Sequence, residues 1–169
     1  MTTQTKKTTT KRKAPVKRVK LPPNPFIHEI LELVSEQRSK AKRVEILKEY
    51  RDDSLTAVLI WNFDDRVQSA IPDGQVPYEP NDVPVGTDHT SLRREWKTLY
   101  HFIKGGNNTL SGLRRESMFI QLLEGLHPKE AEIICLVKDK ELESEYPKVT
   151  IDVVKEAFPD IVWGENRGT

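Results

Sequence analysis

The chain has 169 residues, with 27 Lys or Arg against 26 Asp or Glu, for a net charge of +1. That length suits one domain around one core, and no apolar run nears the ~18 residues needed to span a bilayer. A single cysteine, Cys135, excludes an intramolecular disulfide, and the basic N-terminus leads into Pro and Asn rather than an apolar signal segment. A soluble intracellular domain is therefore expected, with no membrane role.

The distribution of charge says more than its sum. Residues 1–20 contain Lys6, Lys7, Lys11, Arg12, Lys13, Lys17, Arg18 and Lys20, six threonines and no acid. Residues 21–169 hold 19 basic and 26 acidic side chains, a net of −7. A segment with so little to bury cannot recover its ordering entropy, so residues 1–23 read as a disordered basic arm. Such an arm can neutralise phosphates and release counterions. It can equally serve as a solubilising terminus, or dock on the acidic body of its own or a neighbouring chain. No aromatic interleaves its charges, so base stacking there is not expected.

Residues 24–163 read as a helical domain, followed by a short tail over 164–169. Asn24 and Pro25 look like the cap and first position of a helix whose stripe is Phe26, Ile27, Ile30, Leu31 and Val34. Ser39 caps a second helix that turns Val44, Leu47 and Tyr50 inward. Asp52 or Asp53 starts a third, with Leu55, Val58, Leu59 and Trp61. Residues 64–90 then break the pattern, because Pro72, Pro77, Pro80, Pro84, Gly74 and Gly86 forbid a continuous helix. Ile71, Val76, Tyr78, Val83 and Val85 mark this excursion as a strap lying on the body. Thr90 or Ser91 caps a fourth helix that stops at Gly105-Gly106. A fifth runs from Leu110 or Ser111 to Gly125, with Leu113, Phe119, Ile120 and Leu123 for packing. His127-Pro128 opens a sixth around Ile133, Ile134, Leu136 and Val137, and Thr150 a seventh around Val153, Val154, Ala157 and Phe158. The expected fold is all-α, a compact bundle of about seven short helices.

On the fourth helix, Leu92, Trp96, Leu99 and Ile103 form a buried seam at α-helical spacing. Arg93, Lys97, His101 and Lys104 align beside it, and Arg114 and Arg115 follow in the next helix. A straight basic stripe can track a phosphate backbone; it can also be the ordinary polar face of an amphipathic helix. The turn Lys104-Gly105-Gly106-Asn107-Asn108 could admit an anion, yet it lacks the Gly-Lys-Ser/Thr order of a P-loop, and interhelical turn chemistry accounts for it. His28, His89, His101 and His127 show no zinc-type spacing. Cys135 lies within an apolar run, the setting of an inert thiol. Asp64-Asp65 could hold a cation but suits a helix end, and Glu141, Glu143 and Glu145 suit a solvated surface. No catalytic constellation and no cofactor motif emerges.

Several segments carry a resemblance. Phe102-Ile103-Lys104-Gly105-Gly106, the run RESMFIQLLEGLHPKEAE from Arg115 to Glu132, Val137-Lys138-Asp139-Lys140 and Val154–Pro159 are similar to an uncharacterised family of T-even-like tailed phages (myoviruses), notably cyanophages. His28–Leu31 and Lys42–Tyr50 fit the same pattern. The resemblance covers most of residues 26–162 and excludes the arm. It implies a phage source, and with it the host cytoplasm or the virion, but supplies no activity and no site residues.

The expected function is that of a non-enzymatic accessory protein associating with nucleic acid, or a nucleoprotein complex, through Lys6, Lys7, Lys11, Arg12, Lys13, Lys17, Arg18, Lys20, Arg93, Lys97, Lys104, Arg114 and Arg115. Because no stacking aromatics accompany the charges, binding should be indifferent to sequence. The alternative is a structural or assembly component of the virion whose arm docks on neighbouring subunits or packaged DNA. Partners are then nucleic acid, a viral or host protein complex, or a second copy of the chain.

Overall fold

The computed structural model describes residues 20–84 and 89–164. Residues 1–19, nearly all of the expected arm, lie outside the described residues, as do Val85, Gly86 and the end of the C-terminal tail. Among the described residues the fold is all-α: helices α1 (Ile27–Glu36), α2 (Lys40–Glu49), α3 (Asp53–Phe63), α4 (Leu92–Glu95), α5 (Gly112–Gly125), α6 (Pro128–Lys138), α7 (Leu142–Glu145) and α8 (Ile151–Ala157), with a 3-10 segment over Trp96–Phe102. Among the described residues there is no strand, only the isolated bridges Ser69–Ile103 and Thr90–Leu126.

Local chemistry sets most helix starts. The hydroxyl of Ser39 accepts from Lys42 N at 3.2 Å, Asp52 Oδ1 from Leu55 N at 2.8 Å, and Ser111 Oγ from Arg114 N at 3.2 Å. Each satisfies an amide that the first turn leaves unpaired. The start of α1 differs from expectation. Asn24 adopts a left-handed φ of 55°, and the helix begins at Ile27 after Phe26, whose amide donates to Glu29 Oε1 at 3.1 Å. The chain thus turns at Asn24-Pro25 before it coils.

α6 is the central element. It packs against α1, α3 and α5, while α2 bridges α1 and α8. Ile133, Ile134 and Val137 of α6 meet Leu55, Val58 and Leu59 of α3 and Phe119 and Leu123 of α5 in one fully buried cluster. Leu113 does not join it. The first turn of α5 stands in solvent and Leu113 is 79% exposed, which corrects the expected packing role.

The proline-rich excursion is a strap. Ile71 is buried, and Val76 and Tyr78 are half-buried against the core. Its main anchor is Lys138, wholly buried at the end of α6, whose Nζ donates to Pro72 O at 2.9 Å, Gly74 O at 3.0 Å and Asp139 Oδ1. Trp61 Nε1 donates to Ser69 Oγ at 2.9 Å, and Ser69 in turn to Lys138 O. A buried ammonium with carbonyl and carboxylate acceptors replaces the backbone pairing that prolines cannot supply.

Candidate nucleic-acid interface

The fourth expected helix is two structures in series. One α-turn, Leu92–Glu95, passes at Trp96 into 3-10 geometry that ends at Phe102. With three residues per turn, side chains at i and i+3 eclipse. Leu99 and Phe102 are therefore both buried, joined by Trp96 at half-depth, and Lys97 and Tyr100 share the next row. The α-helical stripe of Arg93, Lys97, His101 and Lys104 does not form. Lys104 lies beyond the segment in the turn that follows Ile103, its amide donating to Gln68 O at 2.8 Å.

Two of the expected phosphate contacts are committed inside the molecule. Arg93 pairs with Asp52 at 2.7 Å and reaches Pro25 O, tying α4 to the starts of α1 and α3. Arg115 donates from Nε to His101 O at 2.8 Å and from Nη2 to Asn107 O at 2.8 Å. Its guanidinium therefore holds the 101–110 turn from within. Gly105, at φ 82°, takes a conformation that L side chains avoid. Gly106 packs so closely under the Tyr100 carbonyl that a Cβ has no room. The glycines thus serve the turn.

The remaining candidates stay available. Lys20, Lys97, Lys104 and Arg114 are exposed, as is neighbouring Arg94, and among the described residues none of these five forms a salt bridge. Lys6, Lys7, Lys11, Arg12, Lys13, Lys17 and Arg18 lie outside the described residues.

Three features were not legible beforehand. The first is an aromatic cluster in which His127 lies 4.5 Å from His28, 5.5 Å from His89 and 5.2 Å from Phe26, centroid to centroid. Burial, with the neighbouring His127 adding to it, lowers His28 to about 4, and burial lowers His127 as well. Among the described residues no group of three or more His, Cys, Asp or Glu side chains is placed to hold a metal ion. The second is Glu130, almost fully buried in the first turn of α6. Its two oxygens accept from Ile27 N at 3.0 Å and Leu92 N at 3.1 Å, and burial raises its carboxyl above the ordinary range. One acid thereby caps both α1 and α4.

The third is a broad groove of about 1160 Å³ between the strap and α6–α7, rimmed by Asp73, Glu132, Asp139, Glu141 and Glu145. Tyr78 and Cys135 also line it, and burial pushes the Cys135 thiol up to about 11, away from the thiolate form. Asp64, one half of the acidic pair at the end of α3, is buried, and the Arg66 guanidinium holds it near 2. That carboxylate is already bound within the molecule.

Residues 30–144, from within α1 to within α7 and about two thirds of the chain, match a family described as a family of unknown function (DUF6433). The chain belongs to that family. The matched span contains Glu130, the strap, the 3-10 segment and its exposed basic residues, and it leaves out residues 1–29 with all eight cations of the arm. No curated protein and no solved structure matches the chain.

Proposed function

We propose that this chain is a non-enzymatic phage accessory protein that associates with nucleic acid, or with a nucleoprotein complex, through its basic N-terminal segment and the exposed cations of the domain. The observation that carries the reading is charge segregation: eight basic side chains and no acid in residues 1–20, against a net of −7 in the rest. Lys97, Lys104 and Arg114, exposed and without an ion-pair partner among the described residues, extend it onto the folded body. The phage source rests on the resemblance of Phe102–Gly106 and Arg115–Glu132 described above.

The acidic groove favours a second reading. Four carboxylates around one depression, those of Asp73, Glu132, Glu141 and Glu145, offer a seat for a basic segment from a neighbouring copy, as an assembly component of the virion would need, while Asp139 is already bound to Lys138. Binding to labelled nucleic acid at increasing salt separates the two. Phosphate contact predicts that log K falls linearly with log salt, by ~0.9 per neutralised phosphate on duplex. Removing residues 1–20 should flatten that slope most, and Lys97→Ala with Lys104→Ala should flatten it by roughly one each. Absence of binding at ~50 mM salt, together with self-association that the same truncation abolishes, would select the assembly reading.

A further inference from the structure

The switch to 3-10 geometry at Trp96 breaks the expected charge stripe. Beside it lies a cavity of about 240 Å³ between α3 and the 3-10 segment, lined by Ile60, Val67, Trp96, Leu99 and Ile103 together with Lys97 and Tyr100. No acid lines it. Tyr100 is 49% exposed, among the few large apolar side chains so placed, and its ring lies 4.0 Å from that of His101. Lys97 Nζ sits 5.8 Å from the Trp96 ring centroid, and Lys104 follows Ile103 directly.

We propose that this cavity is a base-binding site for single-stranded nucleic acid, in which an unpaired base seats against Trp96 and Tyr100 while adjacent phosphates meet Lys97 and Lys104. The inference rests on the nucleic-acid reading above and deepens it. A half-exposed aromatic beside an apolar cavity offers a stacking surface that any base can use, and a flanking cation supplies the phosphate contact. A base within a duplex is already stacked and cannot enter, so the site discriminates single strands from duplex. A lone exposed tyrosine would be unremarkable on any surface. Here its row-mate in the 3-10 repeat is an exposed lysine whose ammonium lies over the Trp96 ring and forms no salt bridge among the described residues, and both border the same apolar cavity.

The test compares three ligands on the full-length protein by fluorescence anisotropy: an oligothymidylate of about 12 nucleotides, an abasic strand of equal length and a duplex of equal length. Oligothymidylate should bind at least about 5-fold more tightly than the abasic strand, which presents the same phosphates without bases. Tyr100→Ala should lose about 5- to 100-fold toward oligothymidylate and leave the abasic strand unaffected. Tyr100→Phe should retain wild-type affinity, which separates lost stacking from lost fold, and Lys97→Ala should lower the salt slope for both strands. Equal affinity for the abasic strand and oligothymidylate, or an unchanged ratio in Tyr100→Ala, overturns the base site while phosphate association stands. No binding to any of the three overturns the parent reading and this one with it. Tryptophan fluorescence quenched by an acidic, leucine-bearing peptide in the wild type but not in Trp96→Phe would in that circumstance assign the cavity to a protein partner.

Discussion

Replacing Glu130 by alanine removes the acceptor shared by Ile27 and Leu92, whose amides are buried where water cannot substitute. Each orphaned amide costs about 1–3 kcal/mol, and relief of the buried carboxylate offsets part of that. Glu130→Ala should therefore lose about 2–4 kcal/mol in urea unfolding, with Glu130→Gln, which keeps one acceptor oxygen, near half of that. A loss within experimental error would mean that α1 and α4 do not depend on this cap. The histidine cluster gives a second residue-scale expectation, in pH. Unfolded His28 takes its proton near 6.5, whereas the folded ring, desolvated beside His127, waits until about 4. Between those values the unfolded chain binds more protons, so stability falls as pH drops from above 6.5 toward 4, by at most about 3 kcal/mol from this ring. The lowered His127 acts in the same direction. His28→Phe preserves the stacking on Phe26 and removes the titration, and its melting temperature should vary less with pH across that window. An unaltered pH profile would place the ring in solvent.

At the scale of elements, the main polar anchor of the strap is one buried ammonium. Lys138→Met preserves the apolar stem but withdraws the donor to Pro72 O, Gly74 O and Asp139. The expected cost is about 2–4 kcal/mol, with faster proteolysis between residues 70 and 84 because the prolines leave the strap no ladder of its own. Cleavage at the wild-type rate would show that Ile71 and the Trp61–Ser69 bond suffice. The same scale shows where sequence periodicity was legible. Ser39, Asp52, Ser111 and Thr150 cap the helices expected of them, because a cap is a contact between neighbours three residues apart. The fourth helix departs from expectation for the opposite reason. Leu92, Trp96, Leu99 and Ile103 satisfy α-helical spacing, but Trp96, Leu99 and Phe102 satisfy 3-10 spacing too. The demand for Phe102 in the core beside Phe119, 5.1 Å away, decides between them.

For the whole molecule, segregation of charge is the organising fact. Among the described residues, Arg94, Lys97, Lys104 and Arg114 stand exposed near the 3-10 segment and the start of α5, further exposed cations (Arg38, Lys42 and Lys48) lie on and beside α2, and the acidic groove faces out between the strap and α6–α7. The body therefore presents two surfaces of opposite charge, which is why salt sensitivity and strand selectivity are informative together. By itself the sequence determined the all-α class, most helix starts, the strap and the uneven charge, because each depends on residue type and short-range spacing alone. Only the tertiary structure decided which cations remain available, since Arg93 and Arg115 are consumed by Asp52 and by carbonyls of the 101–110 turn. It also brought Glu130 to Ile27, 103 residues away, gathered His28 and His89 around His127, and set Tyr100 beside Lys97 at a cavity. Those placements arise from the packing of α6 against its neighbours and from a change of helical pitch, and neither is written in the spacing of residues along the chain.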